Sequence, residues 1–234
     1  PKNQTKPAFQ KVPLYTLRDK VKKRRQRRAV CIAIDCYEEK KMGDKYSKLS
    51  GCVNDANAVE QMLDEQHGYK VTTLLNEDAT SDKIMDSFKN LGSNGSVEDD
   101  RLREDSYLII YIAGHGDSIG GTTGFLCYDW RPEDGNSQRM ITGSTVPPGM
   151  IKYDSLYKDI VEECGIKSNH ILFVIDTCHA GKAGPFRITK RERCFNQSLD
   201  YEDEHCAFHA MGAAADDEDS NEDRNDNRGI FTKK

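Results

Sequence analysis

Three short apolar runs, at 29–34, 107–113 and 171–175, constrain the fold of this chain more than any other feature. Each is nearly continuous rather than alternating, which is the pattern of a strand buried on both faces, and each is too short for a buried helix. Helix-period segments lie between them. Asn54 can cap a helix whose Ala56, Val59, Met62 and Leu63 share one face. Thr80 or Ser81 can cap a second, in which Ile84, Phe88 and Leu91 recur at spacings of four and three. Leu156, Ile160 and Cys164 mark a third helix, and further strands are expected at 70–75 and, more weakly, at 206–213. Strands of this kind alternating with helices predict an α/β domain, a mostly parallel sheet sandwiched between helices.

With 234 residues the chain suits one domain with tails. Its 34 Lys+Arg against 39 Asp+Glu leave a net charge of −5, and its 36% hydrophobic content excludes disorder for the middle of the chain. No apolar run approaches the ~20 residues of a spanning helix, so no membrane partner is expected. The first twenty residues lack the apolar stretch of a secretory signal, although a start at Pro1 implies that the true beginning is lost. Eight dispersed cysteines do not form a disulfide framework, so reduced thiols in a cytoplasmic protein are expected. The cluster Cys194, His205, Cys206 and His209 fits no zinc spacing, and no metal site is expected there.

Charge collects in two places. Residues 22–28 read KKRRQRR, six basic in seven, and are expected to form the end of a solvated N-terminal extension, 1–28, ahead of a catalytic domain, 29–234. The run has no interleaved aromatics, which argues against a nucleic-acid partner, though a nuclear-import signal has the same composition and keeps the nucleus as a second compartment. Residues 216–226 carry seven acidic side chains against one Arg, and 182–205 and 215–228 are expected as mobile loops. The long connection 114–152 is read as a loop rich in Gly, Pro and charge.

Ligands of an open parallel sheet bind outside the carboxyl ends of its strands. One such end here runs into Gly114-His115-Gly116 and another into Asp176-Thr177-Cys178-His179-Ala180-Gly181. If the two strands are neighbours, a thiol and an imidazole share a rim, which is what a cysteine nucleophile and its base require. His115 is then the base and Cys178 the nucleophile, with the Gly116 and Cys178 N–H groups as donors to an oxyanion. His179 is a rival base, less well aimed because adjacent residues in extended chain point apart. Singly, Cys178 also reads as a small buried hydrophobe and Gly-His-Gly as a turn, and the residues alone leave the choice open.

Three ordered motifs carry a resemblance: L-S-G-C-V-N-D-A at 49–56, Y-I-A-G-H-G-D at 111–117 and D-T-C-H-A-G at 176–181. Over 29 to about 215 the chain resembles the caspase-like cysteine peptidases, nearest to the metacaspases, with R-G-I-F-T at 228–232 resembling the start of a following helix. The resemblance implies a caspase-like α/β sheet, a His115/Cys178 dyad and peptide hydrolysis through a thioester. It also implies a preference for Arg or Lys before the scissile bond. Asp55 and Asp176 would form an acidic primary pocket lined by Cys52 and Ala113, and Ala113 departs from the serine common in the family. Such a pocket rejects Asp by repulsion and desolvation.

Calcium-dependent members carry aspartates after both catalytic strands. Asp129 and Asp154 stand at plausible positions, but 181–186 supplies no carboxylate, so calcium activation is not favoured and no cofactor is required. Lys182, Arg187, Lys190, Arg191 and Arg193 follow the nucleophile directly and are candidate self-cleavage sites of a zymogen, as are Arg24 to Arg28. The domain is expected to lack its C-terminal part, since the chain stops at Lys234 where the covering helix should begin. Protein or peptide substrates with Arg or Lys are the expected partners, and oligomeric state is left open. The alternative reading is a caspase-like interaction or regulatory module without turnover.

Overall fold

A computed structural model of the chain describes residues 25–37, 46, 48–93, 95, 98, 101–119, 121–131 and 149–177, and the backbone alone at 140–141, 144–145, 207–212, 222–223 and 228–229. Its centre is a five-stranded parallel sheet built from β1 (Arg27–Ala33), β2 (Lys70–Leu75), β3 (Tyr107–Gly114), β9 (His170–Thr177) and β10 (Ala207–Gly212). The order across the sheet is β10-β9-β3-β1-β2, so the three apolar runs of the sequence are its three central strands.

Period-two alternation divides these strands between two faces. Val30 and Ile32 of β1, Leu108, Ile110 and Ile112 of β3, and Ile171, Phe173 and Ile175 of β9 pack with Ile84, Phe88 and Leu91 of helix α2 (Ser81–Leu91). On the opposite face Cys31 and Ala33 of β1 and Tyr111 and Ala113 of β3 pack with Cys52 and Ala56 of helix α1 (Cys52–Gln61). Small residues dominate this second face, which lets α1 lie close to the sheet. The expected sandwich of helices about a parallel sheet is therefore present.

The local predictions hold where burial and capping agree. Helix α2 starts after Thr80, whose hydroxyl accepts from the Lys83 N–H at 3.4 Å. Helix α1 begins three residues earlier than Asn54 predicts, with Gly51 in place of Asn54 at the N-cap, because a distant side chain replaces the local cap: the Asp35 carboxylate accepts from the N–H groups of Cys52 at 2.8 Å and Val53 at 3.4 Å. Asn54 instead donates to the Ser50 carbonyl at 3.4 Å. The expected third helix reduces to a single π-helical segment, Lys158–Glu162, with Ile160 and Val161 buried.

The connection 114–152 is not the loop its composition suggests. It contains β4 (Gly116–Ile119) and β5 (Thr122–Leu126), which join β8 (Met150–Lys152) in an antiparallel sheet, and a short pair β6 (Met140–Ile141) and β7 (Ser144–Thr145). Gly, Ser and Thr in these strands hid the alternation. Within the expected loop 215–228, β11 (Glu222–Asp223) pairs with β12 (Arg228–Gly229), and the rest of the expected helix start, 230–232, lies outside the described residues. The expected boundary at residue 28 also shifts, since Arg27 already belongs to β1 and the Gln26 carbonyl accepts from the Tyr107 N–H at 2.9 Å. Among the described residues no helix is long and apolar enough to cross a membrane.

Phe88 is fully buried where α2 meets the sheet. Phe88→Ala should destabilise the domain by about 3–5 kcal/mol through lost transfer energy and a cavity. A shift of the urea midpoint with unchanged slope would register it.

Candidate active site

The strand order reverses direction between β1 and β3, and such a switch point opens a crevice at the carboxyl ends of the strands. His115 follows β3 directly. The parallel register pairs Ala113 with Asp176 and Gly114 with Thr177, so the residues that immediately precede His115 and Cys178 in the sequence are partners across two adjacent strands. Cys178 and His179 lie outside the described residues, as do Lys182, Arg187, Lys190, Arg191 and Arg193.

Half-buried His115 is tied down through its backbone. Its N–H donates to the Tyr37 hydroxyl at 2.9 Å, the Tyr37 hydroxyl donates to the Leu126 carbonyl at 3.1 Å, and the Leu126 N–H donates to the His115 carbonyl at 2.9 Å. These three bonds close a ring joining β3, β5 and the segment after β1. Gly114 makes room for it: at φ +152° a Cβ would stand 2.8 Å from the Tyr37 hydroxyl and 2.9 Å from the Phe125 ring. Burial pushes the Tyr37 phenol well above its ordinary pKa, with the His115 N–H opposing the rise, so the hydroxyl stays protonated and keeps its donor role.

Two aromatic rings flank the imidazole, Tyr37 at 5.2 Å and Tyr46 at 5.4 Å between centroids. Tyr46 also packs edge-on against Trp130 at 5.2 Å, and its hydroxyl donates to the Asp117 carboxylate. Gly116, the other expected oxyanion donor, opens β4 opposite Phe125 and is half-buried.

The residues expected to form an acidic pocket fall on one face of the sheet. Tyr111 pairs with Val174 and Ala113 with Asp176, so Asp176 shares the face that α1 covers. Helix α1 brings Cys52, in the same packed cluster as Ala113, and Asp55 three residues on. Asp55 at 1% exposure and Asp176 at 6% are both buried, which is an uncommon location for two carboxylates. Asp35 fixes this helix to the end of β1 by capping it, and its own N–H donates to Asn76 Oδ1 at 3.0 Å. On the other face, Thr177 bonds through its hydroxyl to the buried Tyr153 hydroxyl, pinning the end of β9.

Asp35, Tyr37 and Tyr46 escaped the sequence reading. For Asp35 and Tyr37 a position just past the first buried strand was the available signal, since rim residues of neighbouring strands converge.

The two aspartates considered for calcium have other partners here. Asp129 accepts from the Ser81 N–H and hydroxyl, both at 2.7 Å, and so serves the start of α2, while exposed Asp154 lies 3.7 Å from Lys152 Nζ. Among the described residues no group of three or more His, Cys, Asp or Glu side chains is placed to hold a metal ion.

The structural thiols are electrostatically quiet. Burial pushes Cys31 up to about 12 and Cys164 up to about 11, and raises Cys127 as well. A raised thiol pKa removes the reactive thiolate at neutral pH. Brief treatment of native protein with iodoacetamide at about pH 8 should therefore label exposed Cys36 and spare Cys31, Cys127 and Cys164, as read by peptide mass spectrometry.

Residues 26–233 match the caspase domain of cysteine peptidases. The chain is 27% identical to metacaspase-3 of Arabidopsis thaliana over 167 residues, which cover 69% of this chain and 42% of that protein, so it spans less than half of the relative's length. Among solved structures, caspase-1 of Spodoptera frugiperda aligns at a TM-score of 0.48 with 13% identity, covering 88% of this chain and 64% of that one. A protein from Geobacter sulfurreducens also aligns at 0.48, with 20% identity, covering 66% and 51%. With the match running from just before β1 to beyond β12, the chain belongs to the caspase-domain family of cysteine peptidases.

Proposed function

We propose that this chain is a cysteine endopeptidase that hydrolyses peptide bonds after Arg or Lys, with Cys178 as nucleophile and His115 as general base and acid. One observation supports this above the rest: the β3–β9 register, in which the residues before His115 and Cys178 are strand partners. In this reading His115 takes the Cys178 thiol proton and the thiolate attacks the scissile carbonyl carbon. The oxyanion accepts from the Gly116 and Cys178 N–H groups. Collapse breaks the C–N bond, the imidazolium protonates the departing amine, and a thioester remains on Cys178. His115 then deprotonates a water that attacks the thioester, releasing the carboxylic product and returning the proton to sulfur.

The preference for Arg or Lys rests on the buried carboxylates of Asp55 and Asp176 on the α1 face. A substrate cation entering there would offset the cost of their burial, and a substrate carboxylate would add to it. No cofactor takes part in these steps, and calcium remains outside the reading.

Self-processing is part of the proposal, with the basic segment 182–193 as its first site. The basic run offers less than its composition suggests. Arg27 and Arg28 lie within β1, and Arg25 and Arg27 donate at 2.6 Å to the Tyr107 hydroxyl and the His67 carbonyl. Arg27 also pairs with Tyr107, at the opposite end of β3 from His115 and about 26 Å away at about 3.3 Å per residue. Cleavage in this run is therefore expected only before Arg27 and between molecules, with a rate per enzyme that rises with enzyme concentration.

Fluorogenic peptides ending in Arg, Lys or Asp, with and without calcium, test the reading. Turnover after Arg or Lys should fall at least a thousandfold in Cys178→Ala and His115→Ala. Asp176→Asn should cost tenfold or more in kcat/KM for Arg peptides, mainly through KM. Turnover after Asp would remove the pocket assignment. Silence on every peptide, together with no labelling of Cys178 by a basic peptidyl electrophile, would favour the non-catalytic module. Fragments of constant size that also form with Cys178→Ala would refute self-processing.

A further inference from the structure

The Tyr37 side chain touches both the backbone of His115 and the strand that supports it, and the peptidase motifs do not include it. We propose that Tyr37 is a positioning residue for His115, acting through the closed ring of hydrogen bonds it forms with the His115 N–H and the Leu126 carbonyl. The inference rests on the reading of His115 as the base and goes beyond it by naming what holds that base in place.

The geometry carries the argument. β3 stops pairing with β9 at Gly114, so His115 has no place in the parallel ladder and its backbone groups need other partners. The Tyr37 hydroxyl supplies one at 2.9 Å and the Leu126 N–H the other at 2.9 Å, while the Tyr37–Leu126 bond at 3.1 Å couples the two. Both backbone groups of His115 are thus held, one by β5 directly and one through the phenol. The Tyr37 ring also lies 5.2 Å from the imidazole and inclined to it by 37°, which restricts the side chain from one side. Gly114 shows that this contact is built in, because a Cβ there would meet the hydroxyl at 2.8 Å.

A hydroxyl suits the task better than a charged group. It accepts from one backbone donor while donating to one backbone acceptor, with no charge beside the imidazole to bias its protonation. Its raised pKa preserves that state across the working range of a thiol–imidazole pair. Removing only the oxygen leaves the His115 N–H and the Leu126 carbonyl without this partner, yet keeps the ring that packs on the core.

The test compares Tyr37→Phe with the wild type and with His115→Ala. In Tyr37→Phe, kcat on an Arg peptide should fall about ten- to a hundredfold with KM within twofold, since the substrate pocket is untouched and only the aim of the base is lost. Alkylation of Cys178 by iodoacetamide, which needs no peptide, should slow at neutral pH and its pH profile should shift, because the imidazole no longer shares the thiol proton in fixed geometry. Amide hydrogen exchange at His115 should speed up while Ile110 and Ile112 inside β3 stay protected.

Unchanged kcat and alkylation in Tyr37→Phe would overturn the proposal. So would a loss of activity accompanied by lost protection throughout β3, which would assign the hydroxyl to folding alone. If the variant does not fold, rapid exchange of the His115 amide in the wild type would be enough to reject the bond. Retained turnover in His115→Ala would instead refute the dyad, a result distinct from a silent Tyr37→Phe beside an inactive His115→Ala.

Discussion

Everything at the rim depends on β3 being paired on both sides. Its partners β1 and β9 run parallel to it, and its alternate residues feed two cores, one under α2 and one under α1. A strand buried on both faces cannot slip by one residue without exchanging its whole set of neighbours. The register that places Gly114 beside Thr177 is therefore fixed by hydrophobic packing far from the chemistry. The positions that follow these two residues inherit that precision.

From this frame the site is assembled by long-range polar contacts. Asp35 at the end of β1 caps α1 and so locates Cys52 and Asp55 over the sheet. Tyr37, two residues further, reaches β5 and the backbone of His115. One short segment after β1 thus sets both the acidic side and the imidazole side of the crevice. The two tyrosines beside His115 and the two buried carboxylates on the α1 face divide the rim into an aromatic part and an anionic part, and the proposed basic substrate would meet the second.

The auxiliary sheet has a supporting role that its composition concealed. β4 and β5 fold back beside the end of β3, and Leu126 of β5 closes the ring around His115. Read as sequence, 114–126 is mostly Gly, Ser, Thr and Asp, with no alternation strong enough to call a strand. Its pairing comes from the turn between β4 and β5 and from the core residues Phe125 and Leu126, both fully buried. The third helix is present but short and π-helical, since apolar residues at helical spacing mark a buried face without fixing the hydrogen-bonding pattern between them.

The sequence by itself determined the α/β class, the three central strands, the start of α2, and the placement of His115 and Asp176 at strand ends. Buried strands and capped amphipathic helices write local, periodic patterns, and these elements are of that kind. Tertiary structure alone decided that β3 and β9 are neighbours in a register aligning their ends, that Asp35 rather than Asn54 starts α1, and that Tyr37 holds His115. The last of these contacts joins residues 78 positions apart, and its continuation to Leu126 spans 89. A single polar side chain in a non-periodic segment leaves no local signature of such a partner, so its role emerges only when packing has brought the segments together.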